Sequence, residues 1–304
     1  NEVILVAGKG HETDQIFKNK IISISDKQII NNIRLKIKKK STKDQNFDQN
    51  RKILRDLAIH SNVRNFHGLS IDSRTVKKDN LFLTIKGKNN DGFKFINEAL
   101  RKGAKFVVSS KKNKKYRKQI IKVNDEIKFL NHFALKKRDY SKAKIIAITG
   151  SAGKTSLKNL IKNLLENFGK TLSSPKSYNN HFGVPLSLAQ LGLTHKYGVF
   201  EIGMSKAGEI NTLSKIIKPN TGIITNIGEA HIENFDNLKG IAKAKSEIIN
   251  NIQKNGTIIL NRDDKFFKYL CRKAKLKNLK IVSFGKNKKS DIFPVFVKKR
   301  EKKY

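Results

Sequence analysis

Cysteine, tryptophan and acidic residues are scarce in this 304-residue chain, and these shortages limit the classes of protein to which it can belong. The single cysteine, Cys271, cannot form an internal disulfide, which favours a reducing compartment. No apolar run approaches the roughly 20 residues that span a bilayer. The N-terminal run Val3 to Ala7 is too short to be a signal peptide. We therefore expect a cytoplasmic monomer without a membrane span.

Lysine dominates the charge of the chain. The 65 basic and 25 acidic residues give a formal charge of +40, and with only 11 arginines the other 54 basic residues are lysines. Such an excess is found in proteins that bind nucleic acid or anionic membranes. Dedicated nucleic-acid sites, however, favour arginine interleaved with aromatic residues, and these lysines are spread through every segment. We interpret the charge as a solvated surface and predict no specific nucleic-acid partner.

Changes in composition divide the chain into four segments. The first is too short for a domain, the second holds a polar linker (39–52) and a leading helix (53–59), the third is a small α/β unit, and the fourth alternates apolar strands with helices. The boundaries are 1–38, 39–59, 60–140 and 141–304. This alternation predicts an α/β protein with a mainly parallel sheet in its larger domain.

The periodicity of apolar residues predicts individual elements. In the small unit we expect strands at 81–85 and 106–108 and a helix at 92–102. In the larger domain we expect strands at 144–149, 197–203, 221–227, 256–261 and 280–284, and helices at 154–167, 206–217, 237–251 and 264–275.

The strongest motif lies between a predicted strand and a predicted helix. Its residues are Gly150, Ser151, Ala152, Gly153, Lys154, Thr155 and Ser156. Backbone N–H groups of such a loop point at an anion, a lysine contacts phosphates, and a threonine hydroxyl can bind Mg²⁺. Gly150 precedes Gly153 by only three positions, which departs from the usual spacing. The flanking strand and helix nevertheless favour an ATP-binding phosphate loop over a chance turn.

Polar residues follow the other predicted strands. Glu201 ends the next strand, where a Mg²⁺ ligand belongs in an open α/β sheet. His231 follows the third strand, and Asn261 and Asp263 follow the fourth, with Asp263 interpreted as a helix N-cap. Asn180 either caps a helix or faces a ligand. The spacing alone does not distinguish Lys243 and Lys245 from solvated surface lysines.

Several motifs together resemble the Mur ligase family, of the MurF type. In the larger domain they are T-G-S-A-G-K-T-S (149–156), Y-N-N-H-F-G-V-P (178–185), E-I-G-M (201–204), N-I-G-E-A-H-I-E-N-F (226–235), A-K-A-K-S-E-I (242–248) and L-N-R-D-D (260–264). In the small unit, S-I-D-S-R-T (70–75), D-N-L-F-L-T-I-K-G (79–87) and N-N-D-G-F-K-F-I-N-E-A-L-R-K-G-A (89–104) resemble the N-terminal UDP-binding domain of that family.

The resemblance implies an ATP-dependent amide ligase of peptidoglycan precursor synthesis. Such an enzyme joins D-alanyl-D-alanine to UDP-N-acetylmuramoyl-tripeptide through an acyl phosphate, with ATP and Mg²⁺. The implied catalytic residues are Lys154, His231 and Lys245, of which Lys245 would be carbamoylated. The implied metal ligands are Thr155, Glu201 and His231. ATP would contact the phosphate loop, Asn261 and Asp263, and the UDP-substrate would contact Ser73, Arg74, Asn89, Asn90 and Asn180.

The first segment resembles a different member of the pathway. V-A-G-K-G-H-E (6–12) and I-S-D-K (24–27) look like the end of a MurE-type ligase, in which Gly8 and Glu12 would match residues that contact the incoming amino acid. The chain thus looks like part of a MurE–MurF fusion. The C-terminal Rossmann-like domain of the family is expected to be absent, so we expect slow ligation. Two alternatives are a folylpolyglutamate-type ligase and a basic P-loop ATPase that binds nucleic acid.

Overall fold

The structure, a computed structural model, is built around two parallel sheets. It describes residues 14–17, 20–23, 45–59, 66–87, 90–175, 178–230 and 232–295. Near the start, β1 (Asp14–Phe17) and β2 (Lys20–Ser23) pair antiparallel. Gly8 and Glu12, on which the MurE-type resemblance rests, lie outside the described residues.

A four-stranded sheet forms the smaller domain. Its elements are α1 (45–56), β3 (Gly68–Ser70), β4 (Asn80–Leu83), α2 (Ile96–Arg101), β5 (Ala104–Ser109), β6 (Ile120–Lys122) and α3 (Glu126–Tyr140). The strands run parallel in the order β3-β4-β5-β6. The predicted helix at 92–102 is a 3₁₀ turn, Gly92–Phe95, that continues into α2.

A six-stranded sheet forms the larger domain. Its elements are β7 (Lys144–Thr149), α4 (Lys154–Glu166), β8 (Thr171–Ser173), α5 (Gly183–Leu188), β9 (Tyr197–Glu201), α6 (Glu209–Ile217), β10 (Thr221–Ile224), α7 (Leu238–Lys245), β11 (Thr257–Asn261), α8 (Phe267–Leu276) and β12 (Lys280–Phe284). All its pairings are parallel, in the order β12-β11-β10-β7-β9-β8. The predicted α/β class with a mainly parallel sheet is confirmed.

The strand order brings the functional loops together. After β7 the chain runs to the edge strand β8 and returns through β9, whereas β10 lies on the other side of β7. The order therefore reverses at β7, and ligands of open α/β sheets bind at such a switch point, outside the carboxyl ends of the strands. The loop after β7 lies at this position.

Apolar layers cover both faces of the larger sheet. On one face, α4 packs Leu157, Ile161 and Leu165, spaced one helical turn apart, against strand residues that include Val199 and Ile223. On the other face, α5, α6, α7 and α8 form a larger core with the sheet. In the described part of the chain, no helix is long and apolar enough to cross a membrane.

The helix α1 contradicts part of the predicted linker. Residues 39–52 were expected to be a linker because they hold almost no apolar side chains, but the helix covers 45–56 and buries Ile53 and Leu54. Its polar side chains face α3, where Lys137 Nζ donates to Gln49 Oε1 at 2.9 Å. Long-range contacts, which local composition does not show, therefore hold this helix.

Two side chains tie the domains together. Arg138 of α3 is buried, and its Nε donates to the carbonyl of Ile217 at 2.8 Å while Nη2 donates to that of Lys218 at 3.0 Å. Gln190, after α5, donates to the carbonyl of Leu69 at 3.2 Å. Helix α3 is not among the predicted elements. It directly precedes the larger domain in the chain and also contacts it through Arg138.

Candidate functional site

The loop from Gly150 to Gly153 joins β7 to α4 and has the backbone of a phosphate loop. Gly150 has φ of 148° and Gly153 has φ of 78°, both positive values that favour glycine. A Cβ on Gly150 would overlap the Thr225 side chain, whereas no atom lies within 4 Å of a Cβ built on Gly153. The loop is therefore packed on one side against β10 and open on the other.

Hydrogen bonds hold the loop to the end of β10. Ser151 N donates to the carbonyl of Asn226 at 3.0 Å, and Ala152 N donates to the Asn226 side chain at 2.9 Å. Ser151 Oγ donates to the carbonyl of Gly228 at 2.9 Å and accepts from its N–H at 2.8 Å. These contacts fix the loop before any ligand binds, which lowers the entropic cost of binding.

Lys154 begins α4 and folds back over the loop. Its Nζ donates to the carbonyls of Gly150 at 2.8 Å and Ser151 at 3.3 Å. Burial lowers the pKa of the Lys154 ammonium, and the charge of Glu201 partly opposes this shift. The ammonium lies beside the loop, where it could form an ion pair with a phosphate group of a bound nucleotide.

Glu201 ends β9 next to the loop and is only 1% exposed. Thr155 Oγ1 donates to its Oε2 at 2.7 Å, and Asn179 Nδ2 donates to its Oε1 at 2.8 Å. Lys158 Nζ lies 3.9 Å from Oε2. The carboxylate predicted as a metal ligand is therefore beside the predicted threonine ligand.

This donor set fits Mg²⁺. The ion prefers oxygen ligands and is usually held by one or two protein groups together with substrate phosphates and water. Glu201 and Thr155 supply a carboxylate and a hydroxyl beside the phosphate loop. Within the described ranges, no three His, Cys, Asp or Glu side chains gather into a metal site.

A cleft of about 1000 Å³ opens in front of the loop. Its lining includes Lys154, Asn180, Met204, Glu209 and Lys245, with other residues of 203–213. This volume falls in the usual range for a small-molecule site.

Lys245 is the last residue of α7 and is 2% exposed. Burial, with a further contribution from the charge of Lys154, lowers the pKa of its ammonium to about 8. Lys243, by contrast, is exposed. His231 lies outside the described residues, although its neighbour Ala230 lines the cleft. Its predicted role stays a prediction.

The polar residues at the end of β11 and directly after it stabilise turns. Asn261 Oδ1 accepts from Asp263 N at 3.0 Å, and the Asp263 carboxylate accepts from Lys286 N at 2.6 Å and Asn287 N at 3.1 Å. The interpretation of Asp263 as a helix N-cap is therefore wrong, because its side chain caps the turn after β12. Asp264, one residue later, accepts from Phe266 N at 2.9 Å and Ile227 N at 2.6 Å.

The predicted UDP-substrate residues lie in the smaller domain. Ser73 Oγ donates to Glu98 at 2.8 Å, and Arg74, whose side chain is 80% exposed, makes a bidentate pair with Asp72. Asn90 is exposed, and Asn89 lies outside the described residues.

Asn180 is exposed and lines the cleft. Its Oδ1 accepts from Gly183 N at 2.9 Å and Phe182 N at 3.2 Å, so it caps α5. The hydrogen bond and charge of Asp72 raise the pKa of Arg74, and the nearby Tyr178 makes a smaller contribution to this shift. The loop that enters α5 thus connects the cleft with the predicted UDP site.

Sequence reasoning missed the partners of Glu201. Asn179 is present in the Y-N-N-H motif, but its contact with a residue 22 positions away could not be inferred from spacing. Lys158 follows Lys154 by one helical turn, which was the one available signal that it faces the same site.

The sheet, the loop and the cleft define a class, the α/β proteins that bind a nucleotide through a phosphate loop at the switch point of a parallel sheet. The family model of the Mur ligase middle domain matches residues 148–304, and that of the Mur ligase family catalytic domain matches residues 65–143. The first match alone covers more than half of the chain, and the chain belongs to the Mur ligase family.

Its relatives are of the MurF type. The UDP-N-acetylmuramoyl-tripeptide–D-alanyl-D-alanine ligase of Rickettsia prowazekii is 42% identical over 234 residues, 76% of this chain and 51% of that ligase. Crystal structure I of MurF from Acinetobacter baumannii gives a TM-score of 0.70 at 29% identity over 82% of this chain and 54% of that one. MurF from Thermotoga maritima, in complex with ADP, gives 0.64 at 30% identity over 73% and 51%. The chain spans about half the length of the curated relatives it matches.

Proposed function

We propose that this chain carries the ATP and UDP-substrate sites of a ligase that joins D-alanyl-D-alanine to UDP-N-acetylmuramoyl-tripeptide. The observation that carries the proposal is the hydrogen bond from Thr155 to the buried Glu201, beside a phosphate loop whose Gly150 and Lys154 line a cleft. The names of the relatives support the substrate class. The match of residues 65–143 to a Mur ligase domain supports the UDP site.

In this proposal the loop from Gly150 to Ser156 binds the phosphates of ATP and Lys154 neutralises their charge. Mg²⁺, held by Thr155, Glu201 and His231, would supply further positive charge for the phosphates. The γ-phosphoryl group passes to the terminal carboxylate of the tripeptide, and the amine of D-alanyl-D-alanine then displaces phosphate from the acyl phosphate. The protein contributes position and electrostatic stabilisation.

Carbamoylation of Lys245 is the second part of the proposal. The lowered pKa leaves a substantial neutral fraction of the amine near pH 8. The neutral nitrogen attacks CO₂, one N–C bond forms and one proton is released, which converts a buried cation beside Lys154 into an anion. The lining of the cleft by Lys245 supports this role, and the exposure of Lys243 argues against that neighbour.

A ¹³C NMR experiment with ¹³C-bicarbonate tests the carbamate. We expect a carbamate signal whose intensity increases as pH rises through about 8, because only the neutral amine reacts. Lys245→Ala should remove the signal, and Lys243→Ala should retain it. A signal that persists in Lys245→Ala would contradict this assignment.

For the UDP-substrate we propose a site formed by Ser73, Arg74, Asn89, Asn90 and Asn180. The exposure of Arg74 and its proximity to the Tyr178 loop support this arrangement. We also propose the division into a UDP domain at 60–140 and an ATP domain at 141–304. Residues 1–38 would belong to a MurE-type domain, with Gly8 and Glu12 as ligand contacts and 39–59 as the connection. Asn261 and Asp263 would lie near the adenosine.

Isothermal titration calorimetry with ADP and Mg²⁺, and separately with UDP-N-acetylmuramoyl-tripeptide, tests both sites. We expect Lys154→Ala to abolish ADP binding and to leave tripeptide binding intact, and Arg74→Ala to do the reverse. Arg101→Ala, an exposed arginine on α2, is the matched control for charge. If ADP binds and the tripeptide does not, the UDP-substrate proposal fails.

A further inference from the structure

One lysine that the proposed mechanism does not use is buried at the centre of the site. Lys158 lies one turn after Lys154 on α4, and its side chain is 1% exposed. Its Nζ is 3.9 Å from Oε2 of Glu201, whose side chain is 2% exposed. Lysine is almost never buried to this extent unless it is paired. The pairing with Glu201 therefore helps to explain how the fold accommodates a buried lysine.

Three groups surround the Glu201 carboxylate, and they contribute different things. The Thr155 hydroxyl and the Asn179 amide satisfy its hydrogen bonds at 2.7 and 2.8 Å, but both are neutral. The ammonium of Lys158 supplies the opposite charge. The other cation that interacts with the Glu201 charge, Lys154, donates to the carbonyls of the phosphate loop. Removing one partner of a buried ion pair is strongly destabilising.

The oxygen that faces Lys158 is also the oxygen that accepts from Thr155. These two oxygens, Oε2 of Glu201 and Oγ1 of Thr155, are two of the proposed protein ligands of Mg²⁺. A divalent cation bound to them would share a carboxylate with the ammonium. Like charges in a buried site repel strongly because little water screens them.

We propose that Lys158 is an internal counter-ion of Glu201 that holds the carboxylate in position when no metal is bound and that competes with Mg²⁺ when nucleotide binds. This role rests on the proposed function, since it requires Glu201 to bind the metal. Lys158 is a positioning residue, because its burial keeps it from the substrates. The competition makes metal binding weaker and therefore dependent on the phosphates of the nucleotide.

The test is the Mg²⁺ dependence of ADP binding in the full chain with Lys158→Met. Methionine retains most of the volume of the buried side chain and removes its charge. We expect the nucleotide-free variant to melt at a lower temperature than the unaltered chain, whereas ADP should require roughly tenfold less Mg²⁺ for half-maximal affinity, because the electrostatic competitor is gone. A purely structural role would lower the melting temperature and weaken ADP binding together.

Lys162→Met is the matched control. Lys162 lies one further turn along α4, is 36% exposed and pairs with Glu166 at 3.2 Å, so its loss changes the net charge equally at a distance from Glu201. It should leave the Mg²⁺ requirement unchanged. If Lys158→Met does not fold, Lys158→Gln, which retains an N–H donor, provides the same comparison.

The outcomes separate the two proposals. If the unaltered chain binds ADP with a Mg²⁺ requirement that Lys158→Met leaves unchanged or increases, the counter-ion role is overturned and the ligase proposal stands. If the unaltered chain shows no Mg²⁺-dependent ADP binding, the proposed function fails and this role for Lys158 fails with it.

Discussion

Gly150→Ala is a substitution whose effect follows from two geometric features of the phosphate loop. The residue has φ of 148°, and backbone strain of this kind costs about 1–3 kcal/mol for a residue with a side chain. The added Cβ would also overlap Thr225 Oγ1 and lie 3.1 Å from its backbone N. Overpacking of this kind costs about 1–3 kcal/mol. Together these terms predict a destabilisation of about 2–6 kcal/mol.

The Thr225 side chain cannot rotate away without a further loss. Its Oγ1 donates to the carbonyl of Ala152 at 2.7 Å, a contact that helps to shape the loop. In the double variant Gly150→Ala/Thr225→Ala the hydroxyl is gone, but the positive φ and the close backbone nitrogen remain. We therefore expect only partial recovery of stability.

Gly153→Ala is the control within the same loop. It has φ of 78° but no atom within 4 Å of the built Cβ, so only the backbone penalty of about 1–2 kcal/mol applies. Thermal unfolding followed by circular dichroism measures both variants. We expect Gly150→Ala to lower the melting temperature clearly more than Gly153→Ala. Equal decreases, or full recovery in the double variant, would refute the steric reasoning.

Three further substitutions test other parts of the structure. Arg138→Met removes the charged donor shared by the carbonyls of Ile217 and Lys218. In a urea titration it should lower the free energy of unfolding by about 1.5–3 kcal/mol. The control Arg101→Met should leave the free energy of unfolding nearly unchanged. Lys137→Met loses the hydrogen bond to Gln49 but also removes the larger cost of a buried charge, so it should stabilise the protein at neutral pH. Burial lowers the pKa of Lys137 to about 7 in the folded state, below its ordinary 10.5. The unfolded chain therefore binds more protons between these values, and the stability of the unaltered protein rises with pH across that window. The advantage of the variant in melting temperature should shrink from pH 7 towards pH 10, and a constant difference would contradict the shift. Glu247→Ala removes the carboxylate that accepts from the N–H groups of Gly208 at 2.7 Å and Asn211 at 3.0 Å, at the start of α6. The loss of this helix cap should destabilise the protein by about 1 kcal/mol, whereas Glu247→Gln should cost less. Equal losses in thermal unfolding would argue against the capping role.

The phosphate loop could be predicted from sequence because everything that defines it is contiguous. An apolar strand, two glycines and a helix follow one another within 144–166, and β7 has the predicted boundaries. The five predicted strands of the larger domain are all present for the same local reason. Only their ends differ, as in β9, which stops at Glu201 rather than at Gly203.

Elements that depend on distant partners could not be predicted. Helix α1 contains the polar residues Gln49 and Asn50, which are buried against α3 and the 66–67 segment. No local pattern distinguishes such residues from a linker. Helix α3 carries the buried Phe129, Leu130 and Phe133 at helical spacing, a local pattern from which it is predictable.

The site shows the same division. The sequence indicates which edge of the sheet holds Glu201, because parallel strands end together. It does not reveal that Asn179 and Lys158 surround the carboxylate, since these contacts join residues that are far apart in the chain. The predicted roles of His231 and Asn89, which lie outside the described residues, stay predictions.

The hydrogen bonds between the phosphate loop and Asn226 have a mechanical consequence. Ser151 and Ala152 both donate to this one residue, and Asn226 begins the segment that runs on to Ala230 at the wall of the cleft. A displacement of the loop must therefore either move that segment or break both bonds. Amide protons at 226–230 should consequently exchange more slowly when the loop is occupied, so the far wall of the cleft reports on an event at the phosphates.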